Sequence, residues 1–383
     1  MSPFLFFLMH FDYVFIGAGL SNLSLLHQMS SYDFFKDKTI AIIEPSDKDQ
    51  NDRTWCLWSK LPPRYTSVST SWNSLVFKSS SFHKEQNISP YKYYHVASKD
   101  FYEETIGEIS RYLKPRWFKH SLKSVKFSAI KASLTLDNDE IISAGFVFNS
   151  SFKFSGNNIN SEGLKQHFYG FKIKTADKDL PVDAVHLMDF SLNTDQSVVQ
   201  FGYILPFNAK EALIEYTEFS DQLRSKDEYK VLVTDYLRQL GIHEFEVKET
   251  EFGAIPMSDN PFKDRLNDLF INVGSAGGLT KPTTGYTFQY IQKDCQNVIK
   301  ALLSGAKIPV RSSQKRFKFY DRLLLRIIKK EPQLVQTIME KLFSRNKFKS
   351  VLKFLDEESS LLEEIRIFMS IPWKPFLKSL FRV

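Results

Sequence analysis

The sequence predicts an α/β fold (α+β overall) in which a doubly wound, Rossmann-type domain carries an inserted β-rich domain and a C-terminal helical segment. The first observation is an apolar strand, residues 11–16, that ends in Gly17-Ala18-Gly19 and continues into helical spacing over residues 20–29. A second strand, residues 38–43, completes a β-α-β unit. The other two observations are a glycine-rich turn near residue 274 and several alternating runs between residues 166 and 218.

The late glycine-rich turn predicts that the chain returns to the first domain. An apolar run, residues 269–273, leads into Gly274-Ser275-Ala276-Gly277-Gly278, and residues 291–303 then have helical periodicity. A strand, a small-residue turn and a helix leave backbone N–H groups free to bind a phosphate. Two such turns, one early and one late, predict a large dinucleotide held by one discontinuous domain, residues 10–160 and 250–310.

The remaining segments complete the predicted organisation. Residues 161–249, with parts of 60–98, are expected to form the inserted β-rich substrate domain, and residues 45–98 otherwise look irregular. Residues 311–383 predict basic amphipathic helices that are interrupted by Pro332, Pro372 and Pro375.

Charge is concentrated at one end of the 383-residue chain. The net charge is +7, but residues 301–383 alone contain 18 Lys and Arg against 8 Asp and Glu, a net of +10. No nucleic-acid motif accompanies this charge, so it favours docking on a membrane surface rather than binding of nucleic acid. The structural alternative is a helical lid packed on the core with a solvated basic face.

Two further features bear on location. The two cysteines, Cys56 and Cys295, form no Cys-x-x-Cys pair, and the eight histidines have no metal-ligand spacing, so we expect a reducing compartment and no metal site. An apolar start, residues 4–9, is too short to span a bilayer and is either a weak interfacial anchor or a segment ahead of a true start at Met9. We therefore expect a cytoplasmic protein that is peripheral on the inner membrane.

The early turn is typical of dinucleotide binding. Gly17 and Gly19 occupy the first two glycine positions of G-x-G-x-x-G, while Asn22 occupies the third. The first two glycines allow the tight turn and the approach of the pyrophosphate, whereas the third mainly permits close packing of helix and strand. Glu44, at the end of the second strand, is placed to accept hydrogen bonds from ribose hydroxyls. The alternative is a purely structural turn.

The segment after the second strand contains Arg53, Trp55 and Trp58. A cation and two tryptophans here could flank an aromatic cofactor or its pyrophosphate. They could equally be part of a tryptophan-rich loop that packs on the core.

Taken together, the motifs resemble the FAD-dependent lycopene cyclases, which close the end rings of acyclic carotenoids. The motifs occur in order over residues 12–290: Gly-Ala-Gly-Leu-Ser-Asn at 17–22, Arg-Thr-Trp-Cys-Leu-Trp at 53–58, Gln-His-Phe-Tyr-Gly at 166–170, Leu-Met-Asp-Phe at 187–190, Leu-Ile-Glu-Tyr-Thr at 213–217, Gly-Ala-Ile-Pro-Met at 253–257, and Gly-Ser-Ala-Gly-Gly at 274–278 followed by Pro-Thr-Thr-Gly-Tyr at 282–286.

The resemblance implies FAD as the cofactor. Most FAD oxidoreductases have an aspartate in the late turn, whereas the cyclases have a small hydroxylic residue, as Ser275 is here, and they often have an asparagine at the position of Asn22. It also implies that FAD acts in its reduced form, with NADPH as the reductant. The cofactor-binding residues that follow from the motifs are Gly17, Gly19, Ser21, Asn22, Glu44, Arg53, Gly274, Ser275, Gly277, Gly278, Thr284 and Gly285.

The resemblance also implies a catalytic acid. The first glutamate of the family's Phe-Leu-Glu-Glu-Thr motif, regarded as the proton donor, corresponds to Glu215. An acid is usual at the next position, where this chain has Tyr216. From the strand pattern alone, Glu215 would be interpreted as an ordinary solvent-facing glutamate.

These residues fit a cyclisation without net electron transfer. A buried carboxylic acid has a raised pKa and can protonate a terminal double bond of lycopene or a related acyclic carotenoid. Aromatic faces can then stabilise the carbocation, and the candidates are Trp55, Trp58, Tyr91, Tyr93 and Tyr94. Loss of a second proton gives the β-ring. Two alternatives stay open: a flavin-dependent reductase or monooxygenase of an isoprenoid, and a non-catalytic carotenoid- or flavin-binding membrane protein.

Overall fold

The computed structural model describes residues 9–157, 163–192, 195–311 and 314–381. The expected interfacial anchor at residues 4–9 lies outside this range except for Met9. The strands are β1 Met9–Ile16, β2 Ile40–Ile43, β3 Thr54–Ser59, β4 Val68–Trp72, β5 Ser74–Lys78, β6 His83–Asn87, β7 Lys92–Ala97, β8 Arg116–Phe118, β9 Leu122–Phe127, β10 Ala132–Leu136, β11 Ile141–Asn149, β12 Lys165–Thr175, β13 Ala184–Asp189, β14 Val199–Pro206, β15 Glu211–Ser220, β16 Phe245–Pro256, β17 Arg265–Asn267 and β18 Phe270–Asn272. The α-helices are α1 Leu20–Met29, α2 Ser98–Tyr112, α3 Lys226–Gln239, α4 Phe288–Ser304, α5 Lys315–Lys330, α6 Gln333–Arg345, α7 Phe348–Leu355, α8 Leu361–Ser370 and α9 Trp373–Phe381.

The first sheet confirms the doubly wound fold. Its order is β17-β18-β11-β1-β2-β8, and β18, β11, β1, β2 and β8 are parallel. Strand β10 extends it through antiparallel pairing with β11, and β9 pairs antiparallel with β10. The central strands are nearly continuous apolar runs because helices cover them, as β2 (Ile-Ala-Ile-Ile, fully buried) illustrates.

Helices α1 and α4 pack together on this sheet. Leu23 and Leu26 of α1 and Ile291 and Val298 of α4 belong to one apolar core. Because α4 directly follows the late turn and α1 follows the early turn, this packing brings the two turns to the same edge of the sheet.

The second sheet has the order β16-β12-β15-β14-β13-β5-β6. It contains the alternating runs predicted between residues 166 and 218, and β5 and β6 join it from the 60–98 region. The boundary placed between residues 249 and 250 falls inside β16, which pairs with β12 over its whole length. This strand therefore belongs to the second sheet on both sides of that boundary.

Residues 45–98 are more regular than the sequence suggested. They contain β3, β7 and β4, which form a three-stranded antiparallel sheet, as well as β5 and β6. Their high content of Trp, Tyr and Ser obscured the alternation, since several aromatic side chains here are buried on both faces, as in Tyr93 and Tyr94.

The chain ends in five helices, α5–α9, in agreement with the predicted helical segment. They share an apolar core with the second sheet, where Leu325, Val335 and Phe343 accompany Phe77 and Phe201. Pro332 and Pro372 separate helices as expected. Pro375 instead lies in the first turn of α9, where the missing N–H of a proline costs no intrahelical hydrogen bond.

Candidate functional site

The early and late turns contact each other at the carboxyl ends of β1 and β18. Gly274 has φ +60°, and a Cβ there would lie 2.6 Å from Ser21 Oγ, so only glycine allows the two turns to approach this closely. The thiol of Cys295 on α4 donates to the carbonyl of Ser21 at 3.9 Å. In an open α/β sheet, ligands bind in the crevice beyond the carboxyl ends of the strands.

The early turn presents a helix N-terminus to this crevice. Helix α1 begins at Leu20, its N-cap Gly19 provides no side-chain cap, and Gly19 and Ser21 line the central cavity. Gly17 has φ +86°, and a Cβ there would lie 2.3 Å from Ser150 Oγ, so this position also requires glycine. The uncapped N–H groups and the helix dipole favour a phosphate at this point.

Asn22, at the third glycine position of the motif, hydrogen-bonds the backbone of the early turn. It is fully buried, and its amide Nδ2 donates to the carbonyl oxygens of Ile16 at 2.9 Å and Gly17 at 2.7 Å. The same amide lies 3.4 Å from the carbonyl of Phe148 on β11. Asn22 thus ties the end of β1 to the neighbouring strand, a structural function that a glycine could not provide.

Glu44 lies at the end of β2, beside the early turn. Its Oε2 accepts from the backbone N–H of Ala18 at 2.8 Å, and its Oε1 accepts from Ser46. Burial opposes ionisation, but these hydrogen bonds and the ammonium of Lys48 hold the pKa of Glu44 below its ordinary value. The carboxylate is therefore ionised and fixed at the position expected for a ribose-binding acid.

The late turn is a single 3-10 turn, Gly274–Gly277, closed by Gly278 in the left-handed region. Ser275 faces the central cavity, and its Oγ accepts from Thr280 Oγ1 at 2.7 Å. A neutral hydroxyl thus occupies the position where an aspartate would add negative charge.

A central cavity of about 600 Å³ extends from these turns to the C-terminal helices. Its lining is apolar for most of its length, with a small number of polar groups, as is usual for ligand sites. Six predicted cofactor residues line it: Gly19, Ser21, Arg53, Ser275, Thr284 and Gly285. Six others lie behind the lining, in the turns or beside them: Gly17, Asn22, Glu44, Gly274, Gly277 and Gly278.

Glu215 lies on β15 and faces the cavity, with only 7% of its surface exposed. In the sheet it pairs with Gly170 on β12, and Gly170 pairs in turn with Glu251 on β16. A Cβ at Gly170 would lie 2.7 Å from Glu215 Cγ and 3.3 Å from its Oε1, so the Glu215 side chain lies over the glycine. The three residues form one row across the sheet, with both carboxyl groups lining the cavity.

The environment of this pair favours a protonated acid. Burial, together with the charge of Glu251, raises the pKa of Glu215 well above its ordinary value. Burial also raises the pKa of Glu251, although its Oε1 accepts from the backbone N–H of Thr54 at 2.8 Å, which favours the ionised form. Both carboxyl groups therefore bind a proton more readily than an exposed glutamate does.

Position 216 faces the opposite side of the sheet. Tyr216 packs in the apolar cluster beneath α3, and its hydroxyl donates to Glu218 at 2.6 Å. Because successive residues of a strand alternate between faces, an acid at position 216 would not lie beside Glu215. The second carboxyl group at the cavity comes from Glu251 instead, which the sequence did not single out.

Aromatic side chains line the same cavity as Glu215. Tyr203, which pairs with Glu215 across β14 and β15, has its hydroxyl 2.9 Å from that of Tyr93, and Tyr93 lies 3.1 Å from the hydroxyl of Tyr286. Of the aromatic candidates, Trp55 and Tyr93 line the cavity, while Trp58, Tyr91 and Tyr94 do not.

A buried ion pair fixes the C-terminal helices over the late turn. Lys281 Nζ lies 2.9 Å from Asp321 Oδ2 on α5 and 3.2 Å from Glu357 Oε1, and Thr283 Oγ1 donates to Asp321 at 2.8 Å. All of these groups are largely buried. They attach the helices at the far end of the cavity to the segment that follows the late turn.

Comparison with known families identifies the chain. The sequence model described as "Lycopene cyclase protein" matches residues 12–381, nearly the whole chain. The chain belongs to the lycopene cyclase family. Membership confirms the resemblance carried by the ordered motifs. A search of curated proteins gave no match.

Solved structures show the same fold at low sequence identity. A geranylgeranyl bacteriochlorophyll reductase-like protein from Thermoplasma acidophilum is 12% identical over 98% of this chain and 96% of that chain, with a TM-score of 0.62. Halogenase PltM is 12% identical over 97% and 86%, with a TM-score of 0.58, and flavin-dependent brominase Bmp2 is 11% identical over 97% and 98%, with a TM-score of 0.57. These likenesses confirm the predicted α/β, Rossmann-type fold class.

The described residues show neither a metal centre nor a membrane-spanning helix. Within the described ranges, no group of three or more His, Cys, Asp and Glu side chains is arranged to hold a metal ion. None of the helices in the part of the chain that the structure describes is long and apolar enough to cross a membrane.

Proposed function

We propose that the protein binds FAD across the two turns. The uncapped N-terminus of α1 would hold the pyrophosphate, Glu44 the adenosine ribose, and Ser275 with Thr284 and Gly285 the flavin half. A Cβ at Gly19 would meet no atom within 4 Å, so the backbone there is open to a nucleotide that approaches it closely. A variant of halogenase PltM with the same fold was solved in complex with FAD.

We further propose that the protein is a lycopene β-cyclase, an isomerase that forms β-carotene by way of γ-carotene. Glu215 would protonate the terminal double bond of lycopene, breaking its own O–H bond and leaving a tertiary cation. The neighbouring double bond closes the ring, and loss of a proton restores neutrality. Reduced FAD, for which NADPH is the proposed reductant, would supply an electron-rich group that stabilises the cation.

The observation that carries this proposal is the acid in the apolar cavity. Glu215 is buried on a strand that lines the cavity, its pKa is raised, and aromatic residues line the same cavity. An oxidoreductase needs no protonated carboxyl group at this place, whereas a proton-initiated cyclisation does. The cavity's apolar lining suits a hydrocarbon chain.

The test is expression of Glu215→Gln and of the wild type in cells that accumulate lycopene, with the pigments separated by chromatography. The variant should retain bound flavin and lose cyclisation by about 100-fold or more, because glutamine cannot donate the proton. Glu246→Gln, an exposed glutamate on β16, is the matched control and should behave as wild type. Full activity of Glu215→Gln would remove it from the mechanism. A product of altered mass would favour flavin redox chemistry, and unchanged lycopene would favour a binding protein.

We also propose that the C-terminal helices dock on the cytoplasmic face of the inner membrane. Helices α8 and α9 carry an apolar stripe at helical spacing, and its members are between 38% and 74% exposed: Leu361, Leu362, Ile365, Met369, Trp373, Leu377 and Leu380. Monomeric soluble proteins rarely expose such contiguous patches. The same helices line the cavity through Ile367, Phe368 and Phe376, and the +10 net charge of residues 301–383 suits anionic lipid.

A further inference from the structure

A second, polar cavity lies on the other side of Glu251. Its volume is about 240 Å³, and its lining includes His95, Lys172 and Glu249. Asp100 and Thr250 at its rim are exposed, so the cavity reaches solvent. The Lys172 ammonium lies 3.1 Å from Glu249 Oε1, and burial and the charge of Lys172 lower the pKa of His95 to about 4.

Glu251 separates this polar cavity from the central one. Only two residues, Thr54 and Glu251, line both cavities within the ranges that the structure describes. Glu251 is partly buried, whereas Glu215 lines the central cavity alone and is buried. The row Glu215-Gly170-Glu251 therefore runs from the apolar interior to the polar cavity.

Gly170 lies between the two carboxyl-bearing residues and places no side chain of its own between them. It pairs with both residues, and any larger side chain would collide with Glu215 Cγ, which lies 2.7 Å from the position of its Cβ. No side chain at position 170 therefore stands between the two carboxyl groups.

The proposed cyclisation creates a need for such a path. Glu215 gives its proton to one carbon of the polyene, and the ring later loses a proton from a different carbon. If the lost proton leaves with water, Glu215 remains a buried carboxylate. It must then be reprotonated before the next ring can close. The cavity around it is mostly apolar, so water reaches it poorly from that side.

We propose that Glu251 is a proton relay that reprotonates Glu215 from water in the polar cavity. Glu251 takes a proton from hydronium, passes it to the Glu215 carboxylate, and returns to its ionised form, where the N–H of Thr54 stabilises it. For each ring one proton enters through Glu251 and one leaves the substrate, so the reaction stays neutral in protons and electrons. Glu251 acts through Glu215 and is a positioning residue. This inference depends on the proposed function.

The experiment is rapid-quench kinetics of the flavin-loaded protein on liposomes that contain lycopene, reduced anaerobically with NADPH. The first ring closure of Glu251→Gln should occur at the wild-type rate, since Glu215 starts protonated, and the following closures should slow by about 100-fold. Glu251→Asp retains a carboxyl group and should recover part of the later rate. Glu246→Gln is the control on the same strand and should keep both phases.

The possible results of this experiment distinguish failure of the relay from failure of the proposed cyclase function. Wild-type rates in both phases for Glu251→Gln would overturn the relay and leave the cyclase proposal intact. Equal slowing of both phases would also overturn it, because a structural role affects the first closure as much as the later ones. If Glu251→Gln loses its flavin, Glu251→Asp takes its place, and only slowing confined to the later phase supports the relay. A wild-type protein that leaves lycopene unchanged refutes function and relay together.

Discussion

The buried ion pair between the late turn and α5 offers a quantitative test of what holds the cavity closed. Asp321→Asn keeps the shape of the side chain but removes the charge that faces Lys281 Nζ at 2.9 Å, while Glu357 remains at 3.2 Å. Side chains of both Lys281 and Asp321 are less than a tenth exposed, so water does not replace the lost partner. Breaking a buried pair costs 3–5 kcal/mol, and with Glu357 still present we expect about 3 kcal/mol.

The assay is urea unfolding followed by circular dichroism, which gives the free energy of unfolding of the variant and the wild type. Asp259→Asn is the matched control, because Asp259 pairs with Arg322 at 3.0 Å but both side chains are more than 40% exposed. An exposed pair contributes less than about 1 kcal/mol. If the two variants lose equal stability, the buried pair does not fix the helices as described.

Three further predictions concern the acid, the pH dependence and the membrane surface. Gly170→Ala places a Cβ 2.7 Å from Glu215 Cγ, so it should retain flavin but lower ring closure by about 100-fold, measured by chromatography; unchanged turnover would show that Glu215 does not lie over the glycine. Burial raises the pKa of Asp356 from 3.8 to about 7. The folded protein therefore binds this proton more tightly than the unfolded chain does, and stability should fall as the pH rises through that interval. Urea midpoints of Asp356→Asn should show a flatter pH profile, and an unaltered slope would contradict the assignment. The substitutions Leu362→Ser and Met369→Ser in the apolar stripe should weaken sedimentation with anionic liposomes without loss of flavin. Binding equal to that of the wild type would place the docking surface elsewhere.

The parts of the fold that follow from local periodicity were predictable. The early turn, α1 and the late turn stand out because apolar spacing and glycines occur together over short stretches, and the sheet places β1 and β18 beside β11. The second carboxyl group was not predictable in this way. The family usually has an acid at position 216, where this chain has Tyr216, and strand alternation turns that residue to the other face.

The position of Glu251 beside Glu215 could not be predicted from the sequence of its own strand. Its strand, β16, is largely polar and exposed, so its alternation resembles an ordinary surface edge. Its proximity to Glu215 depends on two successive antiparallel registers through β12. A signal was present in Gly170, because a glycine inside an otherwise well-formed strand often marks a close approach.

The meeting of the early and late turns has a consequence for how the protein is made. Ser21 and Gly274 lie against each other, although more than half of the chain separates them, and residues of α4 complete the core around α1. During synthesis the N-terminal half of the proposed cofactor site therefore stays unfinished until α4 has been added. Flavin binding would then indicate that the early and late turns have already packed against each other.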